Sequence, residues 1–205
     1  MRPGILFTLV ASGFIFGWCS PQGEAATNER QAEAVVTHLY EQIVLRKPLG
    51  IPHEADREAI LPFLSDDLIR RFDAAQACES DYYRQHSGND RKPEFAWLES
   101  DLFSGNNEEA LPSAAVIQST ARQRDGSFHV QVQLTYSESF KTYGRTPDPA
   151  NTFKWTVVAT VVRDGNRFAV ADVLYLNEGS KRIDSRLSHT LSVGCENGKW
   201  VGSNK

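Results

Sequence analysis

The 205-residue chain contains 40% hydrophobic, 10% aromatic and 23% charged residues, which is the composition of one ordinary globular domain and excludes disordered and fibrous classes. Its 26 acidic and 22 basic residues give a formal net charge of -4. The summed field therefore repels a phosphate backbone, and nucleic acid is not expected as a partner. No segment repeats at a fixed period, which excludes solenoids and collagen-like arrays.

The chain opens with a pattern typical of an export signal. Arg2 supplies a positive charge, the stretch from Gly4 to Cys19 is apolar and uncharged, and small residues precede a cleavage point that we place after Ala25. A membrane span needs about 20 apolar residues, so a retained anchor helix is the less favoured alternative. The sequence predicts a signal peptide over residues 1–25, a single domain over residues 26–205, and a periplasmic or secreted location.

The cysteines carry two further predictions. Cys19 closes the apolar stretch and could become the lipidated first residue of a bacterial lipoprotein, but the indole of Trp18 is a steric misfit for that processing, so lipid anchoring is the minority alternative. Removing the leader leaves Cys78 and Cys195, an even pair in an exported chain. This pair predicts one disulfide, and two buried free thiols are the alternative.

Helical periodicity dominates the first half of the mature chain. Apolar residues from Val35 to Val44 recur at helical spacing, and Asn28 is a reasonable N-terminal cap, so a helix is predicted from Asn28 to Arg46. Ser65 caps a second long helix, and Cys78 belongs to the apolar stripe of that helix. We therefore expect Cys78 to point inward.

From Ala114 onward the hydrophobic pattern changes to a two-residue repeat rich in β-branched and aromatic residues, which indicates antiparallel strands. Four strands are predicted, followed by an amphipathic piece from Ile183 to Val193. The strands run from Val116 to Gln123, from Phe128 to Tyr136, from Phe153 to Val161 and from Arg167 to Leu176. Helices followed by a strand meander predict an α+β fold in which a curved antiparallel sheet of about four strands wraps around the helices.

Four segments carry a resemblance to a known family. They are Trp97 to Ser104 (WLESDLFS), Arg124 to Phe128 (RDGSF), Trp155 to Val158 (WTVV) and Asp164 to Val173 (DGNRFAVADV). In their order and spacing, over about residues 30 to 180, the chain resembles the cone-shaped domains of the nuclear-transport-factor-two-like (cystatin-like) superfamily, and most of all the exported bacterial members grouped as a domain of unknown function. The resemblance implies a pocket between the helices and a curved sheet, and pairing of two copies through the exposed sheet face.

Such cones host both enzymes and binding modules, and the fold alone does not choose between them. By alternation Asp172 falls on the same strand face as Phe168 and Val170. Apolar surroundings there would raise the pKa of its carboxyl and poise it as the general base of a small isomerase or dehydratase. The favoured alternative is that Asp172 accepts hydrogen bonds from backbone amides or a tyrosine.

Two groups outside the sheet are candidate contacts for a ligand or partner. Trp97 and Asp101 precede the first strand, where they form either the rim of the cavity or a core tryptophan with a capping aspartate. Tyr82, Tyr83 and His86 end the second long helix and form either a partner-binding rim or a frayed helix end.

The connection from Ser137 to Asn151 is long for a hairpin, and it contains the further rim candidates Tyr143 and Arg145. It is either a protruding functional loop or a mobile one. As a functional loop, it or the rim from Tyr82 to His86 would plug the active site of a toxin that attacks the cell wall.

Recognisable catalytic patterns are missing from the sequence. The five histidines do not occur at the spacing of a metal pair, and there is no phosphate loop, dinucleotide fingerprint or nucleophile elbow, so neither metal nor cofactor is expected. The sequence favours a non-enzymatic periplasmic binding or interaction protein whose partner is a cell-envelope protein or a cognate toxin. An isomerase or dehydratase that uses Asp172 is the alternative.

Overall fold

The computed structural model describes residues 21–87, 93, 95–98, 100–107, 110–137, 152–177 and 181–202. The helices of this part are α1 (Pro21–Arg46), α2 (Glu54–Ile60), α3 (Asp66–Gln85) and α4 (Leu187–Thr190), with a 3-10 turn at Leu61–Phe63. The strands are β1 (Ser100–Asp101), β2 (Asn106–Asn107), β3 (Ala114–Arg122), β4 (Phe128–Ser137), β5 (Thr152–Asp164), β6 (Arg167–Leu176), β7 (Ile183–Arg186), β8 (Cys195–Glu196) and β9 (Lys199–Trp200).

The predicted α+β class is confirmed. Strands β3 to β7 form one sheet in sequence order with antiparallel neighbours, and α1 packs on one face of it. The sheet has five strands rather than about four, because the start of the segment expected as a single amphipathic piece pairs with β6, with Leu174 opposite Arg186. Only the following residues, Leu187–Thr190, turn into the short helix α4.

Helix α1 differs from the prediction at its start. Its described part begins at Pro21, whereas the expected cap was Asn28. Proline is tolerated in the first turn, and the alanines at 25 and 26 are strong helix formers, so the helix extends through that stretch. Asn28 caps nothing there; its Oδ1 accepts a hydrogen bond of 3.1 Å from the guanidinium of Arg163 on β5.

The two faces of the sheet differ in chemistry. Val130, Val132 and Leu134 of β4 are fully buried against the helices, and we call this side the helical face. The alternate residues His129 and Gln131 lie on the opposite side, which we call the outer face. The helical face holds most of the buried core, as the alternation of the sequence predicts.

The predicted disulfide is present. Cys78 on α3 is bonded to Cys195 on β8, with the two Cα atoms 5.9 Å apart. The β8–β9 hairpin is also held by a hydrogen bond of 3.1 Å from the backbone N–H of Trp200 to Oδ2 of Asp81 on α3. A covalent and a polar link therefore fix the C-terminal hairpin to the helical layer.

Removing the disulfide is expected to lower the free energy of unfolding. The bond joins positions 117 residues apart, and the chain-entropy relation gives about 4 to 5 kcal/mol for a loop of about that length. Urea unfolding of Cys78→Ala/Cys195→Ala should show a free energy of unfolding lower by about that amount. The reduced wild-type protein should be destabilised to the same extent. A double variant as stable as the oxidised protein would contradict this.

Candidate functional site

The space between α1 and the sheet is occupied by the chain's own turn at residues 101–105. Three successive carbonyl oxygens of this turn accept hydrogen bonds from aromatic side chains on three different elements. The Leu102 oxygen accepts from the hydroxyl of Tyr175 on β6 (2.6 Å), the Phe103 oxygen from the hydroxyl of Tyr40 on α1 (2.8 Å), and the Ser104 oxygen from Nε1 of Trp155 on β5 (2.9 Å). The pocket that the family resemblance implies is filled at this point.

Packing and backbone geometry both require the turn to lie where it does. Leu102 and Phe103 are fully buried, and the ring of Phe103 stacks on that of Phe72 from α3. Gly105 has a φ of +73°, and a Cβ added there would fall 2.7 Å from Cδ1 of Tyr175. Only glycine combines that conformation with that close approach.

Asp101 begins the turn and is fully buried. Its Oδ1 accepts the backbone N–H of Phe103 at 2.9 Å, while its Oδ2 has no hydrogen-bond partner among the described residues. Burial raises the pKa of this carboxyl from 3.8 to about 6, and hydrogen bonding from Ser104 and Phe103 offsets part of the rise. Burial, and after it the charge of Asp101, likewise raises the pKa of Tyr40 and of Tyr175.

Asp101 and Trp97 therefore match the core interpretation rather than the rim interpretation. Trp97 is fully buried, stacks on Phe95, and has an Nε1 without a hydrogen-bond partner in the described part of the chain. Neither side chain reaches the surface. The carboxyl with the raised pKa thus lies in the core beside the buried side chains of Leu102 and Phe103.

The expected placement of Asp172 is wrong. A bulge in β6 sets Val161 opposite Val170 but Thr160 opposite Asp172. The extra residue turns Asp172 to the outer face, away from Val170, because opposed residues share a face of the sheet. There its carboxylate accepts the backbone N–H groups of Val173 (2.9 Å) and Ser188 (3.0 Å) and the Ser188 hydroxyl (2.7 Å). Asp172 thus fixes the start of α4, which is the favoured alternative of the sequence analysis.

The predicted rim at the end of α3 divides into buried and exposed parts. The ring of Tyr82 is buried, stacks on that of His86, and meets Trp200 edge-on. Tyr83 is 51% exposed. The candidates Tyr143 and Arg145 lie outside the described residues, so Tyr83 is the one large aromatic of this group placed at the surface within the described chain.

A different surface stands out beside β3. This strand forms one edge of the sheet, and the described chain between 114 and 122 carries one charged residue, Arg122, at its end. Val116, the third of the nine residues of β3, is 55% exposed. Between β3 and α1 runs a groove of about 780 Å³, lined by Thr37, Tyr40, Glu41, Val44, Leu45, Ala114, Ala115 and Ile117. We call β3 and this groove the edge groove.

Sequence reasoning missed the edge groove. It also missed the three side chains that bond to the turn at 101–105, namely Tyr40, Trp155 and Tyr175, which we call the tether. A signal for the tether is present, since Tyr40 places a hydroxyl inside the apolar stripe of α1, and a buried tyrosine hydroxyl needs an acceptor. The acceptor itself, a carbonyl at position 103, is 63 residues away and has no pattern of its own. The groove depends on small residues at 114 and 115, which read as ordinary strand residues.

Comparisons with known proteins give no relative from which to transfer a role: no family model, curated protein or solved structure matches the chain. Among the described residues, no group of three or more His, Cys, Asp or Glu side chains is arranged to hold a metal ion. Within the same ranges, none of the helices combines the length and apolar character that crossing a membrane requires.

Removing one tether should destabilise the fold. Tyr175→Phe keeps the ring and leaves the buried Leu102 carbonyl unpaired, which costs about 1 to 3 kcal/mol. Urea unfolding should show a loss in that range. Tyr83→Phe, which deletes the same hydroxyl at an exposed position, should stay within about 0.5 kcal/mol of wild type. Equal effects in both variants would contradict the tether.

Asp101 should make stability fall with rising pH. Its pKa is raised in the folded state, so the native protein holds the proton more tightly than the unfolded chain. The stability that this proton provides is complete below about pH 4 and is lost as the pH rises through about 6. Relative to wild type, the free energy of unfolding of Asp101→Asn should therefore rise by roughly 1 to 3 kcal/mol across that pH window. Above the window the difference between the two proteins should stay constant. Urea unfolding of both proteins from acidic to neutral pH measures the difference, and a pH-independent difference would be the contrary result.

Proposed function

We propose that this is an exported, non-enzymatic binding protein that recognises a protein partner through its outer surface. One observation carries the proposal. The turn at 101–105 fills the interior of the cone and is tethered by Tyr40, Trp155 and Tyr175. A recognition role needs no interior cavity, whereas a cone-type isomerase or dehydratase encloses its substrate there. Asp172 no longer supports that alternative, because its carboxylate is engaged on the outer face.

The edge groove is the surface that best fits a protein partner. Edge strands present unpaired backbone N–H and C=O groups, and soluble proteins usually protect them with lysines, prolines or bulky covers. Strand β3 has neither lysine nor proline between 114 and 122, and one bulge, between Ile117 and Ser119, interrupts its pairing with β4. An extended segment of a partner can add to β3 through main-chain hydrogen bonds and place alternate apolar side chains over Val44 and Ile117 in the groove.

Export is supported by the leader pattern and by the bond between Cys78 and Cys195. Disulfides persist in oxidising compartments and are rare in the cytosol. The partner we propose is accordingly a protein of the cell envelope or a toxin that acts there.

Site-specific photo-crosslinking in the native envelope tests this surface. A photoreactive amino acid in place of Val116 should yield a crosslink to a second, different protein, because this exposed side chain lies on the edge strand that the partner pairs with. Leu45→Lys, which places a charge in the groove at an exposed position, should reduce the yield of that crosslink severalfold. Mass spectrometry of the crosslinked band identifies the partner.

Tyr83 provides the matched control, since it is 51% exposed against 55% for Val116. The same photoreactive residue at position 83 should not capture that protein. Capture from position 83 alone would move the interface to the end of α3. Absence of capture at both positions, or a crosslink of twice the chain mass, would contradict a heterologous partner at the edge groove.

A further inference from the structure

A second groove lies on the outer face of the sheet, away from the edge groove. It spans β4 to β7 and has a volume of about 430 Å³, within the range of about 300 to 1,000 Å³ typical of small-ligand sites. Its floor contains Val158 and Leu174, which stand opposite each other on β5 and β6. They are only 7% and 5% exposed.

This apolar floor lies next to polar residues of the same face. They include Gln131 on β4 and Thr156 and Thr160 on β5, while Val162 and Ala169 form a second apolar pair farther along β5 and β6. Val158 and Leu174 therefore form a local apolar strip, which Leu176 and the half-exposed Ile183 extend. A strip of this kind favours an alkyl chain laid along it.

Two lysines lie at one end of the strip. Lys154 precedes Thr156 on β5, and Lys181 belongs to the turn that follows β6, so the antiparallel register brings both to the same end of the groove. Neither ammonium group is ion-paired within the described part of the chain, and the described lining residues include no carboxylate. The groove thus joins an apolar floor to a positive end.

The backbone holds Lys181 in an unfavourable conformation. Its φ is +53°, a value that glycine or asparagine adopts at lower cost. Two backbone hydrogen bonds close this turn, from Lys181 N–H to the Asn177 oxygen (3.0 Å) and from Asn177 N–H to the Arg182 oxygen (2.9 Å). The surrounding structure therefore holds the Lys181 backbone in a conformation of higher free energy. Such residues are often found at binding sites.

We propose that this outer groove binds a small single-chain anionic amphiphile, with its carboxylate at Lys154 and Lys181 and its alkyl chain on Val158 and Leu174. The two lysines attract the negatively charged head group, and the apolar strip contacts the alkyl chain. This site goes beyond the proposed partner at the edge groove, since the two surfaces share no lining residue. Either can fail without the other.

Decanoate is the probe, and decanol of equal chain length is its uncharged counterpart. Titration calorimetry and amide chemical shifts on the full mature chain should show saturable binding of decanoate, with shifts centred on β5 and β6. Decanol should bind at least several-fold more weakly. High salt should weaken decanoate binding and leave decanol unchanged, because screening acts on the charged contact.

Paired variants assign the two ends of the groove. Lys154→Gln/Lys181→Gln should weaken decanoate binding by roughly tenfold, the sum of two partly exposed charge contacts. The control Lys47→Gln/Lys199→Gln removes the same charge from two exposed lysines elsewhere, one of which, Lys47, also has a positive φ of 51°. It should bind decanoate as wild type does.

The apolar end has its own matched pair. Ile183→Ser should weaken the binding of both decanoate and decanol. Leu49→Ser, at a residue 43% exposed against 50% for Ile183, should change the binding of neither.

Equal affinity for decanol and decanoate, equal loss of binding in both lysine double variants, or no saturable binding of decanoate would each overturn the proposal. Loss of the crosslink at position 116 would instead bear on the edge groove alone.

Discussion

The structure depends on how the turn at 101–105 is held between α1 and the sheet. Its carbonyl groups enter an apolar interior, where an unpaired carbonyl costs about 1 to 3 kcal/mol. Tyr40, Trp155 and Tyr175 each satisfy one carbonyl and at the same time bury a large ring. Because these residues come from α1, β5 and β6, the turn ties the helix to two strands. The position of every layer is therefore coupled to one short segment.

The buried turn bears on where the proposed partner and ligand would bind. In a cone with an open centre, the concave side of the sheet and the helices provide a binding cavity. Here Leu102 and Phe103 are buried in the interior, and the two grooves described above lie at the β3 edge and on the outer face. One groove offers main-chain hydrogen bonds beside an apolar surface, and the other offers two cations beside an apolar strip. The two sites would recognise different chemistry without competing for space.

The turn at 101–105 requires a carboxyl group, that of Asp101, to be buried in the core. It forms the bond that shapes the turn, to the Phe103 N–H, but its second oxygen is buried without a partner in the described chain. Burial raises its pKa to about 6, near the range where an enzyme would use it. A general base also needs a substrate within hydrogen-bond reach. Among the described residues, Asp101 is enclosed by buried side chains such as Leu102 and Phe103, and the raised pKa follows from this burial.

Local patterns predicted much of the fold and little of the site. The α+β class and the Cys78–Cys195 bond follow from periodicity and from cysteine parity, which are properties of neighbouring residues or of simple counts. The face of Asp172 was predicted wrongly because alternation assumes a regular strand, and the bulge before it inserts one unpaired residue. The tether and both grooves combine residues far apart in the sequence, so no window of the chain contains them.

The central claim is that the turn at 101–105 is a fixed part of the core, held there by side chains of α1, β5 and β6. Native-state hydrogen exchange of individual amides tests it most directly. We expect the amide hydrogens of Phe103 and Gly105, both bonded to Asp101, to exchange as slowly as that of Val132 in the central strand β4. Exchange of these two amides at rates close to those of an unstructured peptide, while Val132 stays protected, would show that the turn opens independently and would contradict the account.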